Sequence, residues 1–336
     1  MDKKREIWLD VLRAFACICV VMVHSPAEYD GNVPGQFVLA PANYLLMAWG
    51  VGLFFAISGA LLLSKPVSLT EFYKKRFGRL ILPVVLWSLI YIVYEGWFND
   101  CLSWHYILDK VSMIPFESQA PLLWFMYTLF GIYLVVPIFA NFLQNATKRE
   151  CEILLLVWGI TLFMPFLKLW NSQVLNSLSA NGVFHNFTGF LWYAFFGYYL
   201  RKYIDWKITD FKFILLVIVS FGFPLCVSFF GILPIEVLNT LMSVFPVALT
   251  AIPFIICKNF TFSSLKPNNL VITFAKYSFG IYLFHYVLLI PLRPFLTQFH
   301  IHYALQIPVT AVVVGIVSLC IVVLLSKVPF SKYLLG

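Results

Sequence analysis

Residues 8–25 read WLDVLRAFACICVVMVHS. An apolar run of this kind suits one crossing of a bilayer, which takes about 20 residues. Three ionisable side chains interrupt it: Asp10, Arg13 and His24. A charged group at the centre of a membrane helix costs about 2.5–3.5 kcal/mol on insertion scales, and such groups ordinarily mark function. A helix turns about 100° per residue, so Arg13 and His24 fall within about 20° of each other, about 16 Å apart along the axis. Asp10 lies three residues before Arg13, on the same face. The segment therefore reads as a membrane helix whose polar face is expected to turn into a polar cavity.

The rest of the chain has the same character. Of its 336 residues, 61% are hydrophobic and only 11% charged, against about 25% charged in a soluble domain. The 35 Phe, 17 Tyr and 10 Trp residues suit lipid contact and interfacial belts. This is the composition of an integral membrane protein. The net charge of +8 is not a nucleic-acid footprint, because the basic residues sit in short loops between apolar runs. Of the seven cysteines, none form a Cys-x-x-Cys pair, so neither a metal site nor a disulfide framework is expected. The apolar run continues to His24 without a small-residue cleavage site, so the first span is expected to be retained.

Apolar runs occupy residues 7–25, 42–63, 80–97, 122–143, 151–170, 187–200, 211–230, 238–257, 278–294 and 303–325. The runs at 187–200 and 278–294 are short. The loop charges test the count. Lys3, Lys4 and Arg5 precede the first run; Lys65, Lys74, Lys75, Arg76 and Arg79 follow the second; Lys148 and Arg149 follow the fourth. Arg201, Lys202, Lys207 and Lys212 follow the sixth, Lys258, Lys266 and Lys276 the eighth, and Lys327 and Lys332 the tenth. Only Arg13, Lys110, Lys168 and Arg293 depart from this alternation. The positive-inside rule then predicts an all-α polytopic protein of about ten transmembrane helices with both termini cytoplasmic. Residues 1–336 are expected to form a single membrane-embedded domain. The outer loops at 98–121 and 171–186 and the cytoplasmic one at 258–277 are the longest.

Several residues can carry chemistry. His24 lies near the outer end of the first helix, where a neutral imidazole can act as general base toward a hydroxyl; the simpler alternative is an interfacial histidine bonded to a neighbour. Arg13 cannot be deprotonated and needs a partner, which Asp10 supplies; a purely structural pair is the alternative. Arg76 and Arg79, three residues apart, suit bidentate phosphate binding, although a plain topology anchor fits the same charges. Ser58-Gly59 in an apolar helix suits close helix packing. His285 is a second imidazole in apolar surroundings, with Tyr282 on its face; a packed polar contact is the alternative. Trp124, Phe125 and Tyr127 suit an interfacial belt or stacking on a sugar. Glu95 and Glu117 are further outer carboxylates that rank below His24.

Taken in order, these residues resemble the acyltransferase family 3 membrane proteins, bacterial enzymes that O-acylate surface polysaccharides and related glycans. The family's basic residue, ten positions and histidine match Arg13 and His24. Its Phe-Phe-x-x-Ser-Gly matches Phe54, Phe55, Ser58 and Gly59, and its Arg-x-x-Arg with a following Pro matches Arg76, Arg79 and Pro83. Trp124, Phe125, Tyr133, Leu134 and Pro137 match a third segment, and Ser278, Tyr282, Leu283 and His285 a fourth.

The resemblance implies a multi-pass protein of the bacterial inner membrane. It implies acyl-CoA, expected to be acetyl-CoA, as donor, and a glycan or lipid-linked saccharide as acceptor. Arg76 and Arg79 would hold the CoA phosphates. Arg13, partnered by Asp10, would orient the donor or stabilise developing negative charge. His24 would be the base or relay the acyl group. Ser58, Trp124, Tyr282 and His285 would line the substrate cavity. Some relatives carry an extra helix and a fused extracytoplasmic SGNH-type domain. This chain resembles the stand-alone members, for which direct transfer and transfer through a separate extracytoplasmic partner both stay open. A transporter or flippase of a glycan or lipid intermediate is the rival reading, although no paired broken helices mark two matching halves. A non-enzymatic partner of a polysaccharide assembly complex is the third.

Overall fold

The computed structural model describes residues 6–26, 39–164, 187–224, 243–262 and 269–335, with positions 166, 226 and 230 standing apart. Lys3, Lys4, Arg5, Lys168, Lys266 and the outer segment 171–186 lie outside the described residues. Among the described residues the chain is helical throughout, with no strand. Six helical segments are long and apolar enough to cross a membrane: Ile7–His24, Pro41–Leu62, Leu69–Phe98, Trp124–Asn145, Leu270–Thr297 and Tyr303–Leu325. The other four predicted runs fall on shorter helices, Lys148–Thr161, Leu191–Tyr203, Phe211–Gly222 and Val244–Asn259.

In chain order the helices are α1 (Ile7–His24), α2 (Leu39–Met47), α3 (Leu53–Leu62), α4 (Leu69–Phe98), α5 (Trp104–Met113), α6 (Trp124–Asn145) and α7 (Lys148–Thr161). Then come α8 (Leu191–Tyr203), α9 (Phe211–Val217), α10 (Val244–Asn259), α11 (Leu270–Thr297), α12 (Tyr303–Leu325) and α13 (Ser331–Leu335). Two widened π-turns, Ala48–Gly52 and Ile218–Gly222, continue α2 into α3 and extend α9.

Three boundaries differ from the hydropathy reading. Helix α4 starts eleven residues before the predicted run, because the charged stretch Leu69–Arg79 lowers hydropathy without interrupting a helix. Helix α11 likewise begins at Leu270 and runs through Lys276. The segment read as an outer loop at 98–121 contains α5, whose N-terminus is capped by Ser103 Oγ accepting from the Tyr106 N–H at 3.2 Å. None of its residues is buried, and Trp104 and Leu108 are 80% and 67% exposed, as suits a helix lying in an interface. Outside the spans, the Thr147 backbone N–H and hydroxyl hold the Glu150 carboxyl below the usual carboxylate range, completing a capping box at the start of α7.

The chain divides into two compact units. The first takes in Met1–Cys19, Phe37–Pro66 and Phe139–Ile272. Its tightest contact is α3 on α8. A Cβ on Gly59 would overlap the Ala194 carbonyl, and one on Gly197 would overlap the Ala56 carbonyl. The backbones touch reciprocally, the close approach that small residues permit between membrane helices. Around this contact pack Leu12, Ala16, Leu53, Ala60, Leu249 and Phe254. The Thr250 hydroxyl lies 3.0 Å from the Ala48 carbonyl in the first π-turn, and Trp49 Nε1 donates to the Leu249 carbonyl at 3.1 Å. Lys258 Nζ binds the carbonyls of Arg201 (2.9 Å) and Ile204 (2.6 Å) and the Asp205 carboxylate (2.7 Å). It thus caps the C-terminal end of α8, where carbonyls lack helical partners.

The second unit takes in Val20–Gln36, Val67–Ile138 and Thr273–Gly336. Its long helices α4 and α11 are joined by a hydrogen bond. Tyr91 Oη donates to the Leu283 carbonyl at 2.6 Å. Helix α13 folds back onto α4, with Trp87 Nε1 donating to the Leu334 carbonyl at 2.8 Å. Polar groups bonded inside the bundle are far cheaper than polar groups left bare in hydrocarbon.

Candidate active site

The site lies in the second unit, at the end of α1. The helix stops at His24 because Pro26 disfavours helical geometry at Ser25. His24 Nδ1 lies 3.0 Å from the Val20 carbonyl and 3.2 Å from His285 Nε2. The two ring centroids are 5.2 Å apart. His285 comes from the middle of α11 and is fully buried. Its Nδ1 lies 2.7 Å from the Tyr282 carbonyl and 3.2 Å from the Ile281 carbonyl.

These distances assign the protons. A carbonyl oxygen only accepts, so His285 Nδ1 carries hydrogen. In the neutral ring Nε2 is then a lone pair, and that lone pair faces His24 Nδ1. His24 Nδ1 sits between two acceptors, the Val20 carbonyl and His285 Nε2, so it too carries hydrogen. His24 Nε2 is thereby left as the unprotonated nitrogen of the pair. A carbonyl one turn back on α11 fixes, through His285, which nitrogen of His24 can take a proton.

Tyrosines frame the pair. The Tyr286 ring meets His24 edge-on at 6.0 Å. Tyr282 Oη donates to the Leu122 carbonyl just before α6, and its ring contacts Phe125 at 5.6 Å. Trp124, next to Phe125, opens α6.

The structure therefore brings His24, Tyr282 and His285 together, with Trp124 one residue from the Tyr282–Phe125 contact. Arg76 and Arg79 are elsewhere in the same unit. Counted along α4 they lie about 22 and 18 Å from Tyr91. Arg76 lies over the rings of Phe72 (5.9 Å) and Tyr133 (6.0 Å), and Arg79 is exposed. Asp10, Arg13 and Ser58 belong to the first unit. Asp10 is buried and pairs with Arg13 at 3.2 Å. Ser58 Oγ donates back to the Phe54 carbonyl at 2.8 Å.

Two residues of the site were not singled out by the sequence reading. Arg293 Nε donates to the His24 carbonyl at 3.0 Å, and its Nη2 donates to the same oxygen. Gln306 Nε2 donates to the Ser25 carbonyl at 2.8 Å. A signal for Arg293 existed: it is a cation at the far end of an apolar run, against the alternation that the other loop charges obey.

The family model described as an acyltransferase domain matches residues 6–327. The chain belongs to acyltransferase family 3. It is a membrane acyltransferase, and the match runs from the residue before α1 to just beyond α12, enclosing the histidine pair. Neither a curated protein nor a solved structure matches the chain.

Proposed function

We propose that this acyltransferase moves an acetyl group from acetyl-CoA to a hydroxyl of a cell-surface or lipid-linked glycan, with His24 as general base. The observation that supports this most is the histidine pair, in which the unprotonated nitrogen of His24 is set by its partner. In the reaction His24 Nε2 takes the proton of the acceptor hydroxyl while its oxygen attacks the thioester carbonyl carbon. A C–O bond forms and the C–S bond breaks. The CoA thiolate leaves and takes the proton from His24, ending as the thiol. His285 Nε2 accepts the Nδ1–H of the transient imidazolium, the orienting role that a carboxylate plays in a hydrolase triad.

The remaining roles follow the matched motifs. Arg76 and Arg79 bind the CoA phosphates, with the Arg76 guanidinium placed over the Phe72 and Tyr133 rings. Arg13, held by Asp10 and about 16 Å along α1 from His24, orients the donor at a distance from the reacting carbon. Trp124 and Tyr282 line the cavity beside His24. Ten spans with both termini cytoplasmic in the bacterial inner membrane put the CoA site inside and the end of α1 outside. No metal takes part. The acetyl group passes directly to the acceptor, and dependence on a separate extracytoplasmic protein is the alternative outcome.

The test is glycan mass spectrometry on cells with and without the gene, together with transfer of label from acetyl-CoA in isolated membranes. The expected result is loss of an acetyl ester with the gene deleted or with His24→Gln at a normal protein level. Full activity of both His24→Gln and Arg13→Ala would overturn the proposal.

A further inference from the structure

We infer that Arg293 is a positioning residue: its guanidinium fork clamps the last carbonyl of α1 and so holds the His24 ring on His285. The inference deepens the reading of His24 as general base and rests on it.

The last carbonyls of any helix have no helical partner and carry the negative end of its dipole. At the end of α1 the last of those carbonyls is that of His24, followed by that of Ser25, beside the reacting imidazole. Two N–H groups of Arg293 meet one of them, the His24 oxygen, with Nε at 3.0 Å. The guanidinium is itself fixed on its other side: it lies over the Tyr286 ring, 5.1 Å from the centroid, with Nη1 3.5 Å from Tyr286 Oη. Tyr286 follows His285 in sequence and meets the His24 ring edge-on. One side chain thus ties the backbone of the base to the helix that carries the base's partner.

Gln306 reinforces the clamp from α12. Its amide takes the next carbonyl, Ser25 O, at 2.8 Å and lies 3.0 Å from Thr310 Oγ1. The rotation of the last turn of α1 is therefore fixed by two neighbouring helices. That rotation decides whether His24 Nδ1 points at His285 Nε2 or past it. Lysine cannot substitute, because a single ammonium lacks the planar fork and does not stack on the tyrosine in the same way.

The experiment uses the full chain. In membranes, label transfer from acetyl-CoA is followed for Arg293→Ala and Arg293→Lys. A shift of about 1 Å in a catalytic group costs about a hundredfold, so Arg293→Ala should lose about that much in kcat, with KM for acetyl-CoA changed by about twofold or less. Added guanidinium ion should restore part of the loss, and Arg293→Lys should restore less. In parallel, nitrogen NMR of histidine-labelled protein in micelles reads the tautomer, with the His24 signal identified by its disappearance in His24→Gln. The wild type should show hydrogen on Nδ1 of His24, and Arg293→Ala should shift that signal toward the other tautomer.

An Arg293→Ala protein with unchanged kcat, a loss confined to KM, or an unchanged His24 signal would each overturn the inference. If His24→Gln and Arg13→Ala both keep full activity, or if the wild type transfers no acetyl, the functional reading fails instead. The NMR measurement then still decides whether Arg293 holds the ring. A variant that does not accumulate is replaced by Arg293→Lys, which keeps the charge and tests the fork alone.

Discussion

Replacing His285 with phenylalanine separates the catalytic argument from the packing argument. The ring is fully buried, and phenylalanine replaces it with a somewhat larger aromatic ring, at an overpacking cost of about 1–3 kcal/mol. The Ile281 and Tyr282 carbonyls lie inside α11 and keep helical N–H partners. What is lost is the hydrogen bond to His24, with a net worth of about 0.5–1.5 kcal/mol. The fold should therefore weaken by about 2–4 kcal/mol, read as a lower melting midpoint of the solubilised protein.

Activity per folded molecule should fall as well. Without His285 Nε2, nothing but the Val20 carbonyl at 3.0 Å holds hydrogen on His24 Nδ1, and the imidazolium loses its acceptor. General-base catalysis contributes about 10²–10⁴-fold. Losing most of it lowers kcat by about 10²–10³, or about 2.7–4 kcal/mol at 1.36 kcal/mol per tenfold. The assay is the initial rate of acetyl transfer in membranes at saturating acetyl-CoA, normalised to folded protein by size-exclusion profile. If kcat per folded molecule stays within about fivefold of the wild type, the proton assignment through the Tyr282 carbonyl is wrong and His285 is a packing residue.

Glycine-to-alanine changes should carry opposite signs at different sites. Alanine is normally the better helix former by about 1 kcal/mol, yet Gly59→Ala and Gly197→Ala place a methyl on a facing carbonyl. Both should lower the melting midpoint, by overpacking of about 1–3 kcal/mol or more. At Gly131 nothing lies within 4 Å of a Cβ, so Gly131→Ala should be neutral or stabilising in the same melting assay. Trp87→Phe removes the N–H that holds Leu334, so limited proteolysis should trim α13 faster than in the wild type. Arg76→Lys keeps the charge but loses the planar group over Phe72 and Tyr133; KM for acetyl-CoA should rise several-fold with kcat little changed, as expected for uniform binding.

How much of this was legible in the sequence depends on the range of each interaction. The membrane class followed from composition, and the shared face of Asp10, Arg13 and His24 from helical period alone. Gly59 followed from the rule that small residues mark close helix contacts, although Ala194, whose carbonyl it meets, is remote in sequence and could not be named. Tyr282 and His285 were visible as a pair one turn apart. The bond from His285 to His24 spans 261 positions and that from Arg293 spans 269, and no local pattern specifies such pairings. Boundaries failed for a different reason. Hydropathy stops at Arg79 and Lys276, whereas helix propensity continues through both, because straight-chain basic residues are good helix formers. Helix α5 was missed because ten residues cannot register as a span.

The pairing of two histidines, rather than a histidine with a carboxylate, suits where this site sits. A buried ionised carboxylate carries an effective desolvation penalty of several kcal/mol unless it is paired and fully bonded. His285 avoids that standing cost. Its Nδ1–H goes to carbonyls of its own helix, its Nε2 faces His24, and the pair is neutral until the acceptor proton arrives. Charge then exists only between attack on the thioester and protonation of the departing thiolate. The consequence can be checked with His285→Asp, which offers His24 Nδ1–H a stronger acceptor but keeps a permanent charge within α11. That variant should accumulate less folded protein than His285→Phe, although aspartate is the smaller side chain. Equal or better folding of His285→Asp would mean that the surroundings of His285 already accommodate charge, and the case for a neutral pair would fail.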